Sequence, residues 1–161
     1  MKNLFLLFAV SLLFSCSNEN SNQNDPTPVL NGNDYLIFGH YYGFCGGEKC
    51  IETYKLTATT LAEDSLDIYP SINNNATNYI QMSNDKFILS QVLFAFFPTN
   101  LLLDTNMIFG VPDAYDQGGI HVQYSVNGVF KEYYFDNDLQ NVPVQYHAFL
   151  NKIKEKIILL E

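Results

Sequence analysis

The segment that decides the fold is residues 120–135, IHVQYSVNGVFKEYYF. Asn127 and Gly128 divide it into two runs of alternating apolar and polar residues, and Asn-Gly suits a two-residue type I′ turn because both positions need positive φ. The alternation predicts two antiparallel strands in which Val126 pairs with Val129. The apolar face is expected to hold Ile120, Val122, Tyr124, Val126, Val129, Tyr133 and Phe135, and the solvent-facing side His121, Gln123, Ser125, Glu132 and Tyr134.

Three further strands are predicted upstream of this hairpin. The first, residues 34–44, is aromatic and β-prone, and its alternation places Gly39 and Gly43 on one face, where a neighbouring backbone or side chain can lie close. Two more strands, residues 51–57 and 61–68, follow a glycine-rich turn. Together with the hairpin they make about five strands.

Two helices are predicted from apolar periodicity. Ser83 or Asn84 can cap a helix that Pro98 ends, and we expect this helix to be largely buried because it is apolar over most of its circumference. An amphipathic helix runs from Pro143 to Leu160. The order β-β-β-α-β-β-α, with hairpins instead of crossovers, predicts an α+β fold in which both helices pack on one face of an antiparallel sheet.

The amino-terminal residues predict export and lipid attachment. Lys2 precedes an apolar run that is shorter than the ~20 residues needed to span a bilayer, and a polar stretch follows it directly. The sequence Leu13-Phe14-Ser15-Cys16 resembles the lipobox of bacterial lipoproteins. The resemblance implies that Cys16 carries the lipid and anchors the chain on the extracytoplasmic side of a membrane, in the cell envelope. The outer membrane of a Gram-negative bacterium is the expected site.

The chain divides into three predicted regions. Residues 1–15 are the signal peptide, residues 16–33 are the lipidated cysteine and a flexible polar tether, and residues 34–161 have the length of one domain with a proper core. The formal net charge is −9, and all eight basic residues are lysines. Nucleic acid is therefore disfavoured as a partner, because its recognition needs basic patches.

Cys45 and Cys50 bracket four residues in a chain that is predicted to be exported. A local disulfide is the first interpretation, since thiols outside the cytoplasm encounter oxidants. A redox-active pair usually has two intervening residues, and a zinc or copper site would need another ligand, for which His40 is the candidate. Free, buried thiols are the remaining alternative.

Residues 112–119, PDAYDQGG, could offer Asp113 and Asp116 to a calcium ion. A turn with Asx-type hydrogen bonds needs no ion, however, and the chain has no twelve-residue calcium-loop pattern. The stretch is similar to that of a group of uncharacterised lipoproteins in which cysteines flank the Pro-Asp pair. Val111 and Ala114 occupy those positions here, so the resemblance carries over no activity.

The sequence contains no catalytic motif, and His40, His121 and His147 fall in three separate elements. We therefore expect a membrane-anchored domain that binds an envelope protein or a small ligand, without catalysis and without a cofactor. One alternative is a thiol- or metal-handling protein built on Cys45, Cys50 and His40. The other is a small hydrolase, in which histidine and carboxylate side chains with shifted pKa values would converge in a cleft.

Overall fold

The structure is a computed structural model that describes residues 31–70 and 76–161. Its strands are β1 (Tyr35–Tyr41), β2 (Ile51–Thr57), β3 (Leu61–Asp64), β4 (Tyr79–Gln81), β5 (Ile108–Phe109), β6 (Gly119–Val126) and β7 (Val129–Asp136). They form one sheet in the order β4-β3-β2-β1-β6-β7-β5. Every neighbouring pair is antiparallel except β5 and β7, which are parallel. The fold is therefore α+β, with a mixed sheet.

The sheet is larger than the five-stranded antiparallel sheet that the sequence predicted. The two additional strands, β4 and β5, have three and two residues, which is too short for alternation to reveal them. The first predicted strand ends at Tyr41 instead of residue 44, and the third ends at Asp64 instead of residue 68. Both strands end at the last residue that pairs with a neighbouring strand.

The central hairpin has the predicted register. Val126 pairs with Val129, and Asn127 and Gly128 have φ angles of 52° and 78°. The Asp34 carboxylate accepts a hydrogen bond from the Asn127 backbone N–H at 2.9 Å. The Asn31 side chain donates to the Asn127 side-chain oxygen at 3.0 Å, so the chain entering β1 is tied to the hairpin tip.

The helical elements cover one face of the sheet, as predicted. They are α1 (Asn84–Ser90), α2 (Leu93–Phe96) and α3 (His147–Leu160), with 3-10 segments at Glu48–Cys50, Thr99–Leu103, Ala114–Asp116, Leu139–Asn141 and Val144–Tyr146. The prediction of one buried helix ending at Pro98 is wrong, because α1 and α2 are separate and Ile88 is 56 % exposed. The reason is position: α3 lies over the central strand β1, whereas α1 contacts β3 near the sheet edge and leaves Ile88 and Leu89 exposed.

The hydrophobic core lies between the sheet and the helices. We call this side of the sheet the core face, defined by Leu36, Phe38, Val122 and Phe135. The opposite side, defined by Ile37, Lys55, His121 and Glu132, is the cleft face. Fully buried members of the core include Leu36, Phe38, Tyr54, Leu56, Leu61, Leu93, Leu101, Val122, Phe135, Phe149, Leu150 and Ile153.

Candidate functional site

A cleft of about 560 Å³ lies on the cleft face of the sheet. Its walls come from residues 68–70 and 76–77 and from Met107. The volume falls in the range of sites that bind small molecules, roughly 300–1,000 Å³. The floor is formed by Tyr35, Ile37, Thr53, Lys55, Asp64, Tyr79, His121, Gln123, Phe130 and Glu132.

Asp64 fixes the base of the wall. Its Oδ1 accepts hydrogen bonds from the backbone N–H groups of Leu66, at 3.3 Å, and Asn78, at 2.7 Å. The Ser65 N–H donates to the Asn78 carbonyl at 3.1 Å. Residues that leave β3 and residues that enter β4 are thereby held side by side, which shapes one side of the cleft.

Asp113 holds the same wall at a second point, Tyr69. The Tyr69 hydroxyl donates to Asp113 Oδ2 at 3.0 Å, and Oδ1 accepts the N–H groups of Gly43 and Gly118, each at 3.0 Å. Burial and, next, the hydrogen bond to Asp113 together raise the pKa of Tyr69 to about 12, so the hydroxyl keeps its proton. The Tyr69 ring meets that of Tyr41 edge-on, with ring centres 4.9 Å apart.

The close approaches predicted for two glycines are confirmed. A Cβ at Gly39 would overlap the backbone carbonyl of Glu52, and a Cβ at Gly43 would overlap the Asp113 carboxylate. Gly43 thus allows the segment that follows β1 to reach Asp113. The carboxylate joins the end of β1, the wall segment and its own loop.

Asp113, which the sequence offered either as a turn residue or as a calcium ligand, is engaged by hydrogen bonds within the protein. Both of its oxygens accept hydrogen bonds from protein donors, and Asp116 is exposed. Within residues 31–70 and 76–161, no group of three His, Cys, Asp or Glu side chains is arranged to hold a metal ion. Asp113 therefore acts as an anchor for the cleft wall.

His121, Glu132 and Tyr134 form a hydrogen-bonded chain on the cleft face. His121 Nε2 lies 3.0 Å from Glu132 Oε1, which also accepts the Tyr134 hydroxyl at 2.8 Å. The hydrogen bond from His121 lowers the pKa of Glu132 against the opposing effect of burial, and the Tyr134 hydroxyl adds to the lowering. His121 also stacks on the Tyr134 ring, with centres 5.1 Å apart.

The remaining ring nitrogen of His121, Nδ1, is buried and has no hydrogen-bond partner among the described residues. Nε2 faces Glu132, so neither nitrogen is open to a molecule in the cleft. The prediction that His121 and Tyr134 face solvent is wrong, because they are 6 % and 8 % exposed. Side chains from outside the sheet cover this face, which strand alternation alone does not reveal.

Lys55 supplies the cation of the cleft. Its Nζ lies 4.5 Å from the centre of the Tyr35 ring and 5.3 Å from that of Tyr79, so the ammonium makes two cation–π contacts. The Gln123 amide donates to the Tyr35 hydroxyl at 3.3 Å. Sequence reasoning missed Lys55, because its partner Tyr79 lies on the unpredicted strand β4.

Cys45 and Cys50 form a disulfide, which confirms the first interpretation of this pair; their Cα atoms are 5.6 Å apart. His40 Nε2 lies 3.1 Å from the Lys49 carbonyl oxygen, so its ring contacts the backbone of the disulfide loop. His147 Nε2 lies 2.8 Å from the Val142 carbonyl oxygen, at the start of α3. The disulfide leaves no thiolate at this pair.

The predicted signal peptide and the lipid-attachment residue Cys16 lie outside the described residues. In residues 31–70 and 76–161, no helix has the length and apolar character required to cross a membrane. No protein-family model matches the chain, and no curated protein sequence matches it.

Proposed function

We propose that this chain is a lipid-anchored, extracytoplasmic protein whose folded domain binds a small organic molecule in the cleft without catalysing its conversion. Cys16 would hold the domain at the membrane of the cell envelope. The single observation that carries the binding role is a cleft of about 560 Å³ in which aromatic rings and polar side chains converge. Small-molecule sites combine apolar surface with polar groups that fix the orientation of the ligand.

The way in which the cleft is held together supports binding. Asp64 fixes the base of the wall, and the Tyr69–Asp113 hydrogen bond fixes it at a second point. A site that is organised before the ligand arrives loses less conformational entropy on binding. This arrangement therefore favours a ligand that enters a preformed space.

The binding role can be tested with ligand-observed NMR on a fragment library and a variant that fills the cleft. Thr53→Phe puts a large ring on the floor, and we expect it to abolish the binding of fragments that the unaltered protein takes up. Ser125→Phe is the matched control, since Ser125 lies on the same face of the sheet outside the cleft lining. Fragment binding that survives Thr53→Phe, or no binding at all, would contradict the proposal.

A second candidate is an enzyme that uses His121 and Glu132 as an acid–base pair. The observation in its favour is their 3.0 Å contact on the cleft floor, the convergence of histidine and carboxylate that a hydrolase needs. The inaccessibility of both His121 nitrogens argues against it. Bound compounds that stay chemically unchanged during long incubation support the binding role. Turnover that Glu132→Gln abolishes would establish the enzyme.

The lipid anchor is tested by Cys16→Ser, which removes the only sulfur at the predicted cleavage site. We expect the unaltered protein in the membrane fraction, with an acylated cysteine in the intact mass, and the variant as an unacylated precursor or soluble protein. Recovery of the unaltered protein in soluble form, with an unmodified cysteine, would remove the anchor from the proposal.

The thiol- and metal-handling alternative needs free sulfur at Cys45 and Cys50. Cys16→Ser leaves these as the only two cysteines, so alkylation in denaturant reports on them alone. Without reductant we expect no alkylation, and after reduction we expect two modified thiols. Stoichiometric zinc or copper that a chelator releases would favour the metal-handling alternative instead.

A further inference from the structure

We infer that the ligand of the cleft is a small organic molecule with a single carboxylate, and that Lys55 binds this carboxylate. The inference rests on the proposed binding function and adds the class of ligand. Its basis is the position of the Lys55 ammonium inside the cleft, together with the state of the two carboxylates that share the cleft.

In the described part of the chain, Lys55 forms no ion pair within 4 Å of a carboxylate; Lys131 forms none either, but it lies outside the lining of this cleft. Lys49 pairs with Glu161, and both Lys152 and Lys156 pair with Glu155. The Lys86 and Lys154 ammonium groups donate to the backbone carbonyls of Leu160 and Asn137. Lys55 instead lies near the faces of two tyrosine rings inside the cleft. Those rings stabilise the positive charge while leaving N–H donors for an anion.

The two acidic residues of the cleft are already engaged by protein donors. Asp64 accepts two backbone N–H groups. Glu132 accepts hydrogen bonds from His121 and Tyr134. These carboxylates are thus held by the fold, whereas Lys55 has charge and donors to offer, and an anionic group on the ligand complements it.

The cleft lining has one ammonium, which limits an anionic ligand to one negative charge. A doubly charged phosphate would face one lysine and two carboxylates, with no arginine anywhere in the chain to form a bidentate contact. A single carboxylate matches one ammonium. The apolar body of the ligand would lie against Ile37, Ile68, Met107 and Phe130, which line the rest of the cleft.

The test compares aromatic carboxylates with their uncharged primary amides. Benzoate, 2-naphthoate and indole-3-acetate, each with its amide, would be titrated by NMR into the unaltered protein, together with benzylamine as a cation. We expect each carboxylate to bind at least about tenfold more tightly than its amide, as a charge-assisted hydrogen bond gives. The amide pairs test the charge without any substitution.

Lysine variants assign the preference to one residue. Lys55→Met should remove the carboxylate preference, and Lys55→Arg, which keeps the charge, should retain part of it. Lys152→Met is the matched control, because the Lys152 ammonium also lies over a ring, that of Phe96, but on helix α3. It should leave the preference unchanged.

The outcomes separate this inference from the binding function. Amides or benzylamine that bind as tightly as the carboxylates, or a preference that survives Lys55→Met, would overturn the role of Lys55 and leave the cleft as a binding site. If no compound of any charge binds in a manner blocked by Thr53→Phe, the binding function fails and this inference fails with it.

Discussion

The two faces of the sheet are built from the same strands but have opposite chemistry. On the core face, Phe38 and Val122 are fully buried under α3 and its neighbours. On the cleft face, adjacent residues of the same strands are Ile37 and His121, and they border a cleft that contains a lysine, a histidine and two carboxylates. The elements that cover a face of the sheet determine its chemistry. Helices exclude water from the core face, whereas the short irregular segments over the cleft face leave a space that is lined by polar side chains.

The largest expected effect comes from the core face. Phe38→Ala should destabilise the domain by about 3–5 kcal/mol, because it removes a fully buried ring and leaves a cavity. Lys55→Met, on the other face, should change the free energy of unfolding by less than about 1 kcal/mol. Urea melts of the two variants test this difference. Equal losses would mean that the cleft face contributes to stability as the core does.

Two glutamates, one on each face of the sheet, allow the two faces to be compared through the pH dependence of stability. Burial raises the pKa of Glu52, on the core face, to about 7; the hydrogen bond from the Tyr54 hydroxyl opposes this, and Glu63 reinforces it. The folded state therefore favours the protonated form. This stabilisation is complete below the ordinary pKa of 4.5 and is lost as the pH rises through about 7.

Glu52→Gln should therefore flatten the fall in stability between about pH 5 and pH 8, by an amount on the order of 2 kcal/mol. Glu132 has a lowered pKa, so its contribution has the opposite sign: it is present at neutral pH and is lost as the pH falls. Glu132→Gln serves as the matched comparison. Urea melts from about pH 3 to pH 8 should show that Glu52→Gln flattens the fall in stability above about pH 5, whereas Glu132→Gln flattens the loss of stability below it. A change for Glu132→Gln that is confined to the range above about pH 5 would contradict the assignment.

A smaller effect is expected at the hairpin turn that contributes to both faces. Gly128 has a φ of 78°, and Gly128→Val should cost about 1 kcal/mol because a β-branched residue resists positive φ. Nothing lies within 4 Å of a Cβ at this position, so strain in the backbone is the only cause. An unchanged urea midpoint would show that the turn does not fix the register.

The sequence predicted the parts of the fold that local patterns encode. Asn127-Gly128 and the alternation around it predicted the pairing of Val126 with Val129, and apolar residues three and four apart predicted α3. The parallel pairing of Phe109 with Phe135 leaves no local pattern, because it involves two residues brought together by the rest of the fold.

The candidate site was harder to predict than the fold, because its contacts also join residues that are far apart in the sequence. Lys55 meets Tyr79 only because β4 joins the edge of the sheet. Asp113 was recognised as a polar turn residue, but its anchoring role depends on Gly43, seventy residues earlier. Alternation placed His121 and Glu132 on the same face, yet it could not show that a wall from outside the sheet covers them.

The most direct test of the binding role is to map the bound ligand onto the two faces by ¹H–¹⁵N NMR. Titration with the tightest-binding aromatic carboxylate should shift the backbone amide signals of cleft-face residues such as Thr53, Lys55, Tyr79 and Gln123. The signals of Phe149, Leu150 and Ile153 in α3 should stay unchanged. Shifts concentrated in α3, or none at saturating ligand, would contradict the assignment of the cleft face as the binding site.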